Sequence, residues 1–204
     1  NRGKNCVIDS DPYPHFRAYR MDQQIDASMA GEKSQSSTSQ PTGGPNSLVS
    51  GEAREIASQI IASDNVTGDS RYMNQIRAVS NGDNSCYINP TILQYVATMM
   101  ESYKLTISSL NRRCTGVLTA SGVSSYHYRS KGGHAIDFSQ INGVNSTGAT
   151  GEDIKFLNDS LKVLPSGSGI GQSNCRSSGK LDLPAGITQF SDSCNHNHIQ
   201  VPVK

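Results

Sequence analysis

HAIDFSQI, residues 134–141, has the apolar-rich pattern of a buried strand, and HIQVPV, residues 198–203, is typical of a strand that closes a sheet. LTISSL, residues 105–110, alternates and is β-branched enough for a third strand. We also expect strands in GVLTAS, residues 116–121, and in GITQFS, residues 186–191. These five stretches predict a β-sheet that runs through the second half of the chain.

Helical periodicity lies mostly before the first of these strands. Apolar residues recur at i, i+3, i+4, i+7 and i+8 from residue 53, and Asn89 followed by Pro90 is typical of an N-cap with proline at the first helical position. Thr150 and the acidic residues behind it begin another helix. The expected helices cover residues 51–63, 70–79, 90–104 and a segment after Thr150. Because helices and strands do not alternate regularly, we predict an α+β fold with a mostly antiparallel sheet flanked by helices.

The first 48 residues differ in composition from the rest of this 204-residue chain. Residues 28–47 are rich in Ser, Gly, Thr, Gln and Pro and almost lack large apolar residues. Such a segment buries too little surface to offset the entropy of ordering it. We therefore predict an N-terminal arm and linker over residues 1–48 and one domain over residues 49–204, a length that suits a single buried core.

The charge and hydropathy of the chain exclude several kinds of partner. The net charge is +1, so no general field attracts the protein to nucleic acid or to an anionic membrane. No run of 18 apolar residues is present, so we predict no membrane span. We expect a monomer. The chain begins at Asn1 without a signal-like apolar segment, and we expect any export signal to lie outside it.

The chain has five cysteines, none of them in a C-x-x-C pair, which argues against a cysteine zinc knuckle. Five cysteines in a polar chain favour disulfides and an oxidising compartment over buried free thiols. Two bridges and one remaining cysteine allow fifteen pairings. We favour Cys86–Cys114 and Cys175–Cys194, because each would clamp a segment next to the candidate site described below.

Histidine is the residue type that points to chemistry. His196 and His198 form an H-x-H pair, and residues i and i+2 of a strand face the same side. A catalytic zinc ion needs three protein ligands and one open position, and His127 and Asp137 are further candidates upstream. An H-x-H pair also arises by chance, and a lone histidine is usually a surface or core residue.

Three short motifs within residues 88–202 resemble those of the bacterial and phage zinc D-Ala-D-Ala carboxypeptidases and L-alanyl-D-glutamate endopeptidases. These enzymes share a superfamily with the lysostaphin-type endopeptidases and the Hedgehog signalling domain. The motifs are S-x-H, G-x-A-x-D and a terminal H-x-H, matched here by Ser125/His127, by Gly133/Ala135/Asp137 and by His196/His198. The resemblance implies the fold of this superfamily and a metallopeptidase of the D,D- or L,D-carboxypeptidase or endopeptidase type. Its substrate would be the peptide stems or cross-links of bacterial peptidoglycan.

The resemblance also implies a role for each site residue. His127, Asp137 and His198 would hold Zn²⁺, His196 would act as general acid and base, and Arg112 would bind a substrate carboxylate. The implied location is secreted or in the cell envelope: periplasmic, extracellular or associated with a phage particle.

The chain departs from the family pattern at three points. His127 and Asp137 are ten residues apart rather than seven, which predicts an insertion of three residues within 128–131. Asn195 occupies the position where many members carry the general base Glu, so the base role passes to His196. The S-G-Y-R motif that precedes S-x-H in many members is degraded to S-S-L-N-R over residues 108–112.

Two further residues have open assignments. His134 is expected outside the metal site unless the loop aligns differently. For Asp192 we favour a solvated loop acid over a partner that orients an imidazole.

Two other interpretations remain open at this point. A binding module could keep the fold, and even the zinc, without catalysis. A disulfide-rich adhesin-like domain would hold no metal, and its histidines would be scattered.

Overall fold

Four helices and seven strands make up the part of the chain that the computed structural model describes, residues 50–176 and 181–203. The predicted arm and linker over residues 1–48 lie outside the described residues. The helices are α1 (Gly51–Ala62), α2 (Ser70–Ser80), α3 (Pro90–Met99) and α4 (Gly151–Val163). The strands are β1 (Val66–Gly68), β2 (Leu105–Ser109), β3 (Ala135–Ile141), β4 (Val144–Asn145), β5 (Gly169–Ile170), β6 (Thr188–Gln189) and β7 (Asn197–Gln200).

The start of each helix follows from a polar side chain that caps it. The side chains of Ser50, Asp69, Asn89 and Thr150 each accept a hydrogen bond from a backbone N–H of the first turn. The predicted Asn89 cap and the helix start at Thr150 are therefore confirmed. Helix α3 ends at Met99 rather than near Lys104, because the chain turns there to enter β2.

The sheet is mixed, which corrects the expectation of a mostly antiparallel sheet. The strand order is β1-β2-β3-β7-β5-β6, and β4 also pairs with β3. The central pairings are antiparallel, but β1 runs parallel to β2 and β5 runs parallel to β6. Helices α2 and α3 carry the chain from β1 back to the start of β2, and a crossover of this kind makes the two strands parallel. The coarser prediction of an α+β fold is confirmed.

Two predicted strands differ from the structure. Residues 116–121 form a loop that leads into a short 3₁₀ helix, Gly122–Ser124, instead of a strand. Leu118 and Val123 are exposed in this region, so its apolar residues are not part of the core. The expected strand over residues 186–191 is reduced to the two residues of β6.

The two faces of the central strands have different roles. Ile136 and Phe138 of β3 are fully buried, and the Phe138 ring contacts Tyr95 of α3 and Phe156 of α4. Asp137, between them, points to the opposite face because side chains alternate along a strand. The helices α3 and α4 therefore cover one face of the sheet, and the other face carries the polar side chains.

Both favoured disulfides are present, Cys86–Cys114 and Cys175–Cys194. They are compatible with an oxidising compartment and a secreted protein. Cys6 lies outside the described residues. None of the helices within residues 50–176 and 181–203 has the length and apolar character needed to cross a membrane.

Candidate metal centre

Two adjacent strands and one loop bring His127, Asp137 and His198 together. Asp137 of β3 and His198 of β7 are direct partners in the antiparallel register. Asp137 Oδ1 lies 2.9 Å from His198 Nδ1 and 3.1 Å from His127 Nε2, and the two histidine nitrogens are 3.3 Å apart. All three residues are buried. The predicted ligand set is thus assembled in space, and this buried group could hold a metal ion.

The hydrogen bonds around the cluster direct lone pairs into it. His127 Nδ1 lies 2.6 Å from the carbonyl oxygen of Leu110, which can only accept, so Nδ1 carries the proton and Nε2 presents its lone pair. His198 Nε2 lies 3.3 Å from Gln200 Oε1, which leaves its Nδ1 as the acceptor. With these tautomers, two imidazole lone pairs and a carboxylate oxygen face one another, and a metal ion could bind to all three.

The electrostatics of the cluster favour an ionised Asp137 and a neutral His127. Burial lowers the pKa of His127 despite the opposing charge of Asp137, which keeps the ring neutral. Burial alone would raise the pKa of Asp137. The adjacent His127 and His198 outweigh it and hold that pKa well below its usual range. Neutral imidazole and ionised carboxylate are the forms that bind metals.

The loop that carries His127 is fixed by buried polar contacts. Asn111, just after β2, donates to the carbonyl oxygens of Tyr87 and Lys131, and its backbone N–H is bound by Gln75 of α2. Gly133 has a φ of 67°, and a Cβ there would lie 2.2 Å from the carbonyl oxygen of Tyr87. The glycine of the G-x-A-x-D motif is therefore needed for close backbone approach. The ten-residue spacing between His127 and Asp137 is accommodated by turns in this loop.

His196 lies beside the three-residue cluster. Its Nε2 is 3.6 Å from Asp137 Oδ1 and 3.4 Å from Asp192 Oδ2. Burial acts to lower the pKa of His196. The carboxylates of Asp192 and Asp137 outweigh it, so the pKa is raised. His196 is thus a titratable group within reach of anything bound to His127, Asp137 and His198.

The expectation that Asp192 is a solvated loop acid is wrong. Its Oδ2 lies between the two histidines of the H-x-H pair, 3.7 Å from His198 Nδ1 and 3.4 Å from His196 Nε2. Asp192, His196 and His198 form a second, overlapping group with metal-ligand spacing. The disulfide between Cys175 and Cys194 closes the loop that brings Asp192 to this position.

Arg112 contacts the cluster through Asp137. Its Nη2 donates to Asp137 Oδ2 at 2.8 Å, its Nε donates to Ser109 Oγ at 2.8 Å, and its Nη1 reaches Thr119 Oγ1 at 3.2 Å. The guanidinium therefore binds the carboxylate oxygen that faces away from the histidines. The sequence predicts that Arg112 binds a substrate carboxylate. Within the described residues its guanidinium already donates to Asp137, Ser109 and Thr119.

His134 lies outside the cluster, as expected. Its ring is buried, with Nδ1 3.0 Å from the Asn89 side-chain nitrogen and the ring 5.5 Å from that of Tyr87. His127, His196 and His198 converge on Asp137. A metal-free adhesin-like domain predicts scattered histidines, so this convergence argues against that interpretation.

Sequence reasoning did not identify two glutamines at the site, Gln172 and Gln200. Gln172 is fully buried and contacts both members of the H-x-H pair, and Gln200 binds His198. Gln200 follows His198 by two residues on the same strand face, a spacing that could have identified it. Gln172 has no such signal, since 24 residues separate it from His196.

Two hollows meet at the cluster. One, of about 360 Å³, is bordered by the loop at residues 119–126 and by Phe190. The other, of about 470 Å³, extends past Tyr72 and Ser139. Arg112, Thr119, Ser193 and His196 line both of them. The cluster thus lies where the linings of the two hollows overlap.

Comparison of the chain with protein-family models, with curated proteins and with solved structures gave no match. The resemblance to zinc peptidases therefore rests on the motif residues alone and stays a prediction.

Proposed function

We propose that this protein is a secreted or cell-envelope zinc peptidase that hydrolyses peptide bonds in the stems or cross-links of bacterial peptidoglycan. The observation that carries the proposal is the convergence of three potential ligand atoms within 2.9–3.3 Å, with a third imidazole, that of His196, beside them. In the tautomers that the contacts with Leu110 and Gln200 favour, both imidazoles present acceptor nitrogens to the Asp137 carboxylate, which a metal ion would bridge and a purely structural network would avoid.

The donor set fits zinc with one open position. Two imidazoles and one carboxylate are a known catalytic zinc set, and ligand atoms about 2.0–2.2 Å from a tetrahedral ion lie roughly 3.3–3.6 Å apart. Two of the three distances in the cluster, 2.9 and 3.1 Å, are a few tenths of an ångström shorter, so small side-chain shifts would admit the ion. The same donor set also occurs in non-haem iron proteins, which makes metal identity the first point to test.

Each residue of the site has a role in the proposed hydrolysis. When bound, zinc would lower the pKa of a water molecule to about 7 and polarise the scissile carbonyl group. His196 Nε2 accepts the proton of the attacking water and returns it to the leaving amine. Asp192 lies within reach of the resulting imidazolium. Arg112 binds Asp137 Oδ2, which leaves Asp137 Oδ1 for the metal. The Nη1 atom of Arg112 lies beside Thr119, at the border of both hollows.

The cleft favours internal peptide bonds over the last bond of a chain. A carboxypeptidase needs a free cation for the terminal carboxylate. Among the described residues that line the two hollows the arginines are Arg71 and Arg112, and they are bound to Asp69 and Asp137 respectively. His196 also lines both hollows, which together offer room for substrate on either side of a peptide bond. We therefore favour an endopeptidase.

Metal analysis tests the site. Protein purified without added metal should contain close to one zinc ion per chain, and His127→Ala and Asp137→Asn should lose it. The matched control is Asp182→Asn, which makes the same change at an exposed aspartate and should keep the zinc. Absence of zinc from the wild type after zinc is added back would contradict the assignment, and stoichiometric iron would redirect it to iron chemistry.

Digestion of purified peptidoglycan separates the enzyme from the alternative, a zinc-binding module without catalysis. The wild type should release new amino termini, and His196→Ala should retain zinc while losing about 10²–10⁴-fold in rate, the usual contribution of a general acid–base residue. A wild type that binds zinc and sediments with peptidoglycan without releasing amino termini would favour the binding module.

A further inference from the structure

Gln172 occupies an unusual place in the fold. It lies two residues after the end of β5, and its backbone is left-handed, with φ 59° and ψ 28°. Residues with a side chain rarely adopt this conformation, and glycine adopts it readily. The side chain is nevertheless fully buried. A large polar residue at a position that suits glycine indicates that its side chain is needed there.

The orientation of the Gln172 amide is fixed by the backbone of β7. The N–H of His198 donates to Gln172 Oε1 at 3.0 Å, and only an oxygen can accept from a backbone N–H. The amide nitrogen must then face the other way, where it lies 3.0 Å from His196 Nε2. One amide thus contacts both histidines of the H-x-H pair.

The two shortest contacts of the His196 ring fit a single tautomer, and the Asp192 and Asp137 carboxylate oxygens lie farther from Nε2, at 3.4 and 3.6 Å. Because the Gln172 nitrogen is a donor, His196 Nε2 must accept and therefore carries a lone pair. On the other side of the ring, Nδ1 lies 2.7 Å from Asn195 Oδ1, which suits a proton on Nδ1. Nε2 is also the nitrogen nearest to the metal group, 3.6 Å from Asp137 Oδ1.

The loop around Gln172 is built to hold it. Arg176, itself buried, donates to the carbonyl oxygens of Gly171 at 2.7 Å and Gly148 at 3.1 Å. Gly148 packs so closely on Gln172 that a Cβ there would lie 2.4 Å from the Gln172 Cβ. The Gln172 side chain therefore has little freedom to rotate away from the histidines.

We propose that Gln172 is a positioning residue for His196: its amide N–H donates to Nε2 and so selects the tautomer with the proton on Nδ1, which leaves Nε2 unprotonated for the attacking water that displaces this hydrogen bond. This inference rests on the proposed peptidase function, since it assigns Gln172 to the base of that reaction. Gln172 acts through His196.

The test uses Gln172→Glu in the zinc-loaded protein, with Gln94→Glu as the matched control. Glutamate has the same shape and can still accept from the N–H of His198, but it cannot donate to His196. Gln94 is exposed on α3, away from the site. We expect Gln172→Glu to keep its zinc and its KM within about twofold while kcat falls by roughly 10–100-fold, part of the usual general-base contribution. An unchanged kcat in a folded, zinc-loaded Gln172→Glu would overturn the proposal.

A second measurement does not depend on activity or on the variant folding. The ¹⁵N chemical shifts of the His196 ring in wild-type protein, at a pH where the ring is neutral, distinguish a protonated from an unprotonated nitrogen. We expect Nδ1 protonated and Nε2 unprotonated. The opposite tautomer would overturn the role of Gln172 even in an active enzyme. If the protein hydrolyses no peptide, the peptidase proposal fails, and the expected tautomer would still support the contact with Gln172.

Discussion

Replacing Asp153 by asparagine should destabilise the fold at neutral pH and have little effect in acid. The buried carboxylate accepts from the N–H groups of Thr147 at 2.9 Å and Thr150 at 3.0 Å, and from the Asn197 amide at 2.6 Å. It thereby closes the capping box of α4 and joins that helix to β7. Asn197 lies between His196 and His198, so this carboxylate also supports the strand that carries the site.

The magnitude follows from the three bonds. A hydrogen bond to a charged group contributes about 1.5–3 kcal/mol and a neutral one about 0.5–1.5 kcal/mol. With asparagine the two backbone bonds each weaken by about 1 kcal/mol, and an amide facing the Asn197 amide loses most of the third bond. Together these losses amount to about 3 kcal/mol, and we expect the free energy of unfolding at neutral pH to fall by that amount.

The pH dependence gives the prediction its sharpest form. Burial alone would raise the pKa of Asp153. Its bonds to Thr147, Asn197 and Thr150 outweigh burial and lower the pKa below the unfolded value of about 3.9. The stabilisation is therefore present above the unfolded pKa and is lost as the pH falls through the folded pKa.

Urea denaturation of both proteins at neutral pH, and at the lowest pH at which the wild type still folds, measures the difference. The two unfolding free energies should converge in acid, and Asp182→Asn should behave as wild type at both values. A gap between wild type and Asp153→Asn that is the same at both pH values would refute the assignment to a charged carboxylate.

Three further predictions concern the site loop, the core and a buried histidine. Replacing Cys175 and Cys194 together by serine opens a loop of 19 residues and should cost about 3 kcal/mol of stability, with weaker zinc retention measured by competition with a chelator. Phe156→Ala should lower the free energy of unfolding by about 3–5 kcal/mol in urea titrations, because its fully buried ring packs against three other aromatic rings. Burial, with nearby basic side chains, lowers the pKa of His134, so the wild type should lose stability as the pH falls below about 6.5 and through the folded pKa. His134→Asn should reduce the dependence of stability on pH in this range, which thermal melts at several pH values measure. An unchanged dependence in the variant would show that the ring is solvated.

The sequence determined the parts of this protein that depend on local pattern. Helices α1, α2 and α4 follow from apolar spacing and capping residues, and β2, β3 and β7 follow from short apolar or alternating stretches. The H-x-H pair on one strand face is also local, because the period of a strand is two residues. Motif resemblance then identified His127 and Asp137 as partners, and the structure brings them to His198.

Tertiary structure alone decided the features that depend on distant contacts. The parallel pairing of β1 with β2 and of β5 with β6 depends on how the intervening segments cross the sheet, which no local period records. Residues 116–121 have a strand-like composition but border the cleft instead of pairing. Gln172 and Asp192 reach the histidines because β5 is packed beside β7 and a disulfide closes the loop between them. Gln172 contacts His196 across 24 residues of sequence, and Asp192 lies 3.4 Å from the same ring, contacts that exist only once the chain has folded.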